Sequence, residues 1–286
     1  MASEPDKYAI DATTTHDSSP QAGNQETMRG EEREVAEAAA RYGYGPLANG
    51  NSNISAFGKG FQTSSQPPAP RQTIANPAPL GLSAFALTTM ILSLINMQAR
   101  GVTAPHFVVA SAFAYGGLVQ LLAGMWEMAV GNTFGATALS SYGGFWISYA
   151  IIFTPGGFNI VANIEKANGT TALNDVTGFW LMSWWIFTTL CLVCTLKTNI
   201  AFFLLFLTLD LAFLFLGVGH LIESSPGKIY TPLIKTGGFF GILAALLAWY
   251  CALAGMAEPK NSFVRFPMGE LPWLRSQRKK TEREVV

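Results

Sequence analysis

Few side chains in the middle of this sequence could do chemistry, and each stands in an apolar setting that makes it costly to keep. Asp210 lies near the middle of the run Ile200–Ile222, and His220 lies near its end. Gln120 and Glu127 fall in the run Phe107–Val130, Tyr142 and Ser148 in Ala138–Thr154, and Thr88 and Thr89 in Leu80–Met97, with Asn76 at its mouth. An ionisable group at membrane depth costs at least ~2.5–3.5 kcal/mol on insertion scales, so a place on a pathway for a solute or a proton is the default reading. The competing reading for Asp210 is a protonated or hydrogen-bonded carboxyl between helices. For Glu127, close to a helix end, it is a side chain that snorkels to the interface. Motifs of known catalysis are absent: there is no phosphate loop, no HExxH and no GxSxG. The Gly-Gly pairs lie in or next to apolar helical runs, so they do not read as nucleotide loops. Cys191 and Cys194 have CxxC spacing, but no second pair accompanies them, so all three cysteines, Cys251 included, read as buried small hydrophobes. No enzyme activity, metal or cofactor is implied.

The elements that must position these residues are legible from composition. Half of the 286 residues are apolar and 13% are charged, with 18 basic and 18 acidic side chains. A soluble domain carries about 25% charged residues. Between residues 77 and 256 only five of each sign occur. Such a surface excludes an ordinary soluble enzyme, a nucleic-acid binder with a basic face and a disordered chain. A bilayer core takes about 20 apolar helical residues to cross. Six segments qualify: Leu80–Met97, Phe107–Val130, Ala138–Thr154, Thr177–Leu196, Ile200–Ile222 and Leu233–Met256. Residues 155–176, with Glu165, Lys166 and Asp175, separate the third from the fourth. The runs are too long and too continuous for barrel strands. The expected fold is all-α, a polytopic membrane protein built as a six-helix bundle over residues 76–256.

The flanks differ. Residues 1–75 are rich in Ser, Pro, Gly, Asn and Gln and read as a disordered polar tail, with one good helix former at Glu31–Tyr42. Residues 257–286 mix Phe263, Phe266, Leu271, Trp273 and Leu274 with basic residues, which suits a segment at headgroup level, and end in the cluster Arg275, Arg278, Lys279, Lys280 and Arg283. Six spans put both tails on one side. Basic residues near the helix ends divide almost evenly, and the C-terminal cluster tips the expectation to cytoplasmic tails in a cell membrane. Within the spans, small residues recur on single helix faces: Gly237, Gly241 and Ala245; Ala112, Gly116, Gln120 and Gly124; Ser140, Ser141, Gly143 and Gly144. Such stripes are packing seams first and oligomer contacts second.

Two strings carry a family likeness. The first is Asn76-Pro77-Ala78-Pro79-Leu80-Gly81-Leu82-Ser83-Ala84-Phe85. The second is ordered: Tyr115-Gly116-Gly117, Gln120, Ala123-Gly124, Glu127, Gly131-Asn132-Thr133-Phe134-Gly135, then Ser141-Tyr142-Gly143 and Phe145-Trp146. Over residues 76–256 the chain resembles the acetate uptake transporter family, which includes bacterial succinate–acetate permeases and fungal ammonia/acetate exporters and glyoxylate-pathway regulators. The long polar N-terminal tail is similar to that of the fungal members. The resemblance implies a homohexamer with one pathway through each protomer. It also implies a hydrophobic constriction at Phe85, Tyr142 and, at a Leu-Thr pair of the fifth span, Leu207. Asp210 matches no family motif.

The residues fit such a role. Pro77 and Pro79 start a helix sharply, and the free N–H groups near Asn76 would favour a carboxylate. Asn76, Thr88, Thr89, Gln120 and Asn132 are therefore the candidate substrate contacts, and Glu127, Asp210 and His220 the candidate proton-coupling groups. The expected function is transport of acetate and similar short monocarboxylates, coupled to protons. The partners are then a small carboxylate, protons and the bilayer, with no nucleic acid. Two alternatives share the fold. One is ammonium or ammonia export, with Asp210 and Trp184 or Trp185 as a cation recruitment site. The other is a non-transporting membrane regulator of carbon-source adaptation acting through its tails.

Overall fold

The computed structural model describes residues 75–274. The tail up to residue 74, with Glu31–Tyr42, and the basic cluster from Arg275 onward lie outside the described residues. Among the described residues there are six long helices: α1 Ala78–Asn96, α2 His106–Ala129, α3 Thr133–Phe153, α4 Ile160–Cys194, α5 Ile200–Leu221 and α6 Thr231–Met256. A small hairpin, β1 Glu223–Ser225 with β2 Lys228–Ile229, joins α5 to α6. All but α3 are long and apolar enough to cross a membrane by length and composition. α3 has 21 residues, which at 1.5 Å each reach roughly 31 Å. Its Gly, Ser and Thr content dilutes its hydropathy, so by composition five helices qualify as spans, one fewer than expected, and α3 packs among them.

Local chemistry sets the helix ends. Asn76 accepts a hydrogen bond from the Ala78 amide at 3.1 Å, and prolines occupy the first turn of α1, where a missing N–H costs nothing. Asn132 caps α3 through the Gly135 amide at 3.0 Å, and Asn199 caps α5 through the Phe202 amide at 2.9 Å. α2 carries a π-helical segment, Ala114–Val119, around its Tyr-Gly-Gly string. α4 starts at Ile160, far ahead of the expected Thr177, so most of the connection 155–176 is helical. Residues 160–168 hold neither Gly nor Pro and extend the helix toward the surface. Gly169, at φ 82° and ψ 176°, breaks it.

Neighbours in sequence are neighbours in space, and α6 returns to pack on α1, so the helices form a ring with its thinnest seam between α3 and α4. Small residues let the backbones approach. A Cβ at Gly116 would meet Thr88 Oγ1 at 2.6 Å, one at Gly143 the Leu121 amide at 2.7 Å, and one at Gly237 the Leu216 Cγ at 2.6 Å. Gly241 faces Ser93, and Gly124 faces Ser140. The stripes are thus seams inside the protomer; Gly144 alone among those named has nothing within 4 Å. Of the cysteines, Cys191 and Cys251 are buried, whereas Cys194 is exposed on α4, against the expectation of burial.

The end at which the chain enters α1 and leaves α6 is closed by residues 257–274. Gly269 and Met268 carbonyls accept the Ile200 and Ala201 amides, each at 3.1 Å, satisfying the first free N–H groups of α5. Trp273 donates from Nε1 to the Leu196 carbonyl at 2.7 Å, and Leu271 and Met268 are buried. The segment expected at headgroup level is a strap across the bundle, with Phe263 and Trp273 left exposed.

Candidate functional site

A cavity of about 360 Å³ runs into the bundle. Facing residues show that adjacent helices are antiparallel: Gly81 meets Ala123 while Gly116 meets Thr88, and Gly178 meets Leu221 while Trp185 meets Asp210. Helices α1, α3 and α5 therefore run in one direction. Each lines the cavity with the same stripe, spaced by four, three and four residues. On α1 it is Phe85, Thr89, Leu92 and Asn96; on α3 Tyr142, Trp146, Tyr149 and Phe153; on α5 Leu209, Phe213, Leu216 and His220. A spacing of four and three keeps side chains on one helix face. The three stripes form four stacked layers over roughly 16 Å of helix axis. The far layer opens among the exposed connections that carry Gln98 and Thr103. The cavity thus faces the end away from the chain's tails.

The inner layer is Phe85, Tyr142 and Leu209. The Phe85 and Tyr142 rings lie 5.9 Å apart, and Tyr142 also meets Trp184, Phe187, Phe206 and Phe213 at 5.6–6.5 Å. Its hydroxyl lies 2.9 Å from Thr188 Oγ1. Thr188 spends its own proton on the Trp184 carbonyl at 2.8 Å, so Tyr142 is the donor in this bond. Toward the tail side, Phe206, Phe134 and Phe202 continue the aromatic packing with centroids 5.3–6.1 Å apart. The cavity lies outward of the inner layer, and aromatic rings pack inward of it.

The candidate residues expected from the sequence divide. Phe85, Thr89, Tyr142 and His220 line the cavity; Asn76, Thr88, Gln120, Glu127, Asn132, Leu207 and Asp210 do not. On α5 the residue in the inner layer is Leu209, two positions past Leu207, which turns it about 200° around the helix. Thr88 is fully buried against Gly116 and bonds the Ala84 carbonyl, an ordinary packing residue. Gln120 is fully buried with both amide atoms unpaired among the described residues. Glu127 accepts from Asn132 Nδ2 at 2.5 Å and faces the Ala78 amide. The start of α1, expected to attract a substrate carboxylate, faces a carboxyl of the chain itself. Asp210 accepts from Thr189 Oγ1 at 2.6 Å and Trp185 Nε1 at 3.1 Å, which ties α5 to α4 behind the cavity wall. His220 places Nδ1 2.8 Å from the Leu216 carbonyl. A carbonyl only accepts, so Nδ1 carries the proton and Nε2 is the atom left over. Sequence reasoning misses Leu209, Trp146, Thr188 and Thr189; of the two tryptophans it set beside Asp210, Trp185 is the one that meets it. Only the 4-3-4 spacing shared by three spans could have found the first two.

The fold has a counterpart in known proteins. The model of the GPR1/FUN34/yaaH family matches residues 57–273. The chain belongs to that family. It is 56% identical over 257 residues to acetate permease A of Emericella nidulans, covering 87% of this chain and 86% of the relative. It is 44% identical over 205 residues to ammonia transport outward protein 2 of Saccharomyces cerevisiae, covering 72% and 70%. Among solved structures it is similar to the bacterial acetate channel SatP, at a TM-score of 0.57 and 30% identity, covering 69% of this chain and all of the channel. A member of this family with these apolar helices is a multi-pass membrane protein, and the resemblance read from residues 76–146 is to the family found.

Proposed function

We propose that the chain transports acetate and similar short monocarboxylates across a cell membrane, through the cavity of each bundle and past Phe85, Tyr142 and Leu209. The observation that carries this reading is the convergence of three in-register stripes on one apolar layer. The relatives named for acetate support the choice of solute. An apolar layer penalises a hydrated anion and gates by excluding water. A carboxylic acid with a pKa of roughly 4 is mostly ionised at neutral pH, so crossing that layer calls for a proton to accompany the anion. Symport with protons, assembly as a homohexamer and cytoplasmic tails complete the reading. In that orientation the cavity faces the outside. The test is flux into liposomes holding the purified protein, with acetate, succinate, formate and ammonium compared at two pH values. Saturable acetate flux that grows with an inward proton gradient is the expected result; no carboxylate flux under any gradient overturns it.

A second reading, ammonium or ammonia export, draws on the relative named for ammonia transport and on the buried carboxylate of Asp210. Asp210 meets two donors of α4 and lies off the cavity, so a cation would have to displace both. Under the acetate reading, Asp210→Asn loosens α4 from α5 and lowers thermal stability without separating the two solutes. Ammonium flux abolished by that change, with acetate flux intact, would establish the second reading.

A further inference from the structure

We infer that Thr89 and Trp146 form a docking station for the carboxyl group of a small organic acid, one helical turn outside the apolar constriction. The inference rests on the carboxylate reading and deepens it. Thr89 lies four residues past Phe85 on α1, and Trp146 four residues past Tyr142 on α3, so both stand about 6 Å outward of the constriction on parallel helices. Both line the cavity and are 7% and 2% exposed. Neither Thr89 Oγ1 nor Trp146 Nε1 has a hydrogen-bond partner among the described residues. That is unusual in this bundle. Thr88, Ser148, Thr154, Thr177, Ser183 and Thr208 each return the hydroxyl proton to the carbonyl four residues back. Buried donors are normally paired, and an unpaired pair in one cavity layer marks a place where an acceptor belongs.

The chemistry of the pair selects the occupant. An indole N–H only donates, and a threonine hydroxyl has one proton to give. Two donors, one from α1 and one from α3, match the two oxygens of a carboxylate. An ammonium ion, itself only a donor, finds an acceptor at Thr89 alone. Phe213, the third member of the layer, supplies an apolar surface for the methyl group of the acid. An acid held here has shed much of its water before it meets Phe85, Tyr142 and Leu209.

The test uses the full chain purified in detergent and reconstituted in liposomes, with Thr89→Val, Trp146→Phe and Thr89→Ser. Binding of ¹³C-acetate is followed by saturation-transfer NMR, and flux is followed with labelled acetate. Thr89→Val and Trp146→Phe should each raise the half-saturating acetate concentration about tenfold, while maximal flux stays within about twofold and Thr89→Ser behaves as the native chain. If both half-saturation values stay within about twofold of native while the native chain conducts, the station is overturned and the conduction reading survives. If acetate binds the native chain, binds both variants more weakly and crosses with none of them, the station stands and conduction falls. Failure of the native chain to bind acetate overturns the station outright. Should Trp146→Phe not elute as a single species, Thr89→Val, isosteric with the native residue, carries the test.

Discussion

On the proposed reading, selectivity at the residue scale turns on how much room the inner layer leaves. Tyr142 is held by two kinds of contact, the bond from its hydroxyl to Thr188 and five surrounding rings, so it is a fixed wall and not a swinging gate. Leu209 closes the third side. Leu209→Ala and Tyr142→Ala should each admit larger acids, raising propionate and butyrate flux relative to acetate severalfold in a liposome competition assay. Leu207→Ala, off the cavity, should leave that ratio at the native value, and an altered ratio there would return Leu207 to the constriction. A different residue works for stability. Asn132 caps α3 and also donates to Glu127 beside the start of α1, so it joins three helix ends. Asn132→Leu removes a cap worth about 1 kcal/mol and leaves a buried carboxyl short of a donor at about 1.5–3 kcal/mol. The purified protein should melt well below native, whether or not Asn132 ever touches a substrate.

Helices are legible in the sequence at the element scale because apolar length survives any packing, and Asn, Pro and Gly mark the ends. Register is not. α5 is apolar on nearly every face, and its one mid-helix charge, Asp210, faces α4 and not the cavity, so Leu207 and Leu209 look alike until the helix is placed. α4 reads too short because Glu165, Lys166 and Asp175 look like a loop, while the chain carries them on a helix that outruns the apolar run. α3 shows the reverse: its Gly and Ser residues lower hydropathy yet let it pack against α2. Trp146 stays invisible because a tryptophan in an apolar helix ordinarily anchors or packs, and its orphan N–H is a fact of geometry. Seam glycines give this scale its own prediction. Gly116→Val drives a branched side chain into Thr88, where overpacking costs about 1–3 kcal/mol, and should lower both melting temperature and yield. Gly144→Ala, with nothing within 4 Å in the protomer, should be neutral to slightly stabilising. A loss at Gly144 equal to that at Gly116 would mean that a neighbouring subunit packs there.

For the whole molecule the telling property is asymmetry along the helix axis. Outward of Phe85, Tyr142 and Leu209 the three stripes enclose space; inward, Phe206, Phe202 and Phe134 fill it, and the strap of residues 257–274 caps the same end through Gly269 and Met268. On the proposed reading, such a shape is one state of a path that opens at the other end to deliver its solute. It makes a sided prediction that no flux measurement is needed to check. With the exposed Cys194 changed to Ser and the buried Cys191 and Cys251 retained, a membrane-impermeant thiol reagent should modify Leu216→Cys, two layers out from Leu209, from the face away from the tails. It should not reach Leu205→Cys, one turn inward and 2% exposed, from either face. Saturating acetate should slow the reaction at Leu216→Cys by occupying the cavity, which a solvent-filled dent in the surface would not show. If instead Leu205→Cys reacts from the tail side, the aromatic filling is permeable as it stands. The constriction would then be a sieve in an open channel, and no alternation between two closed ends would be required.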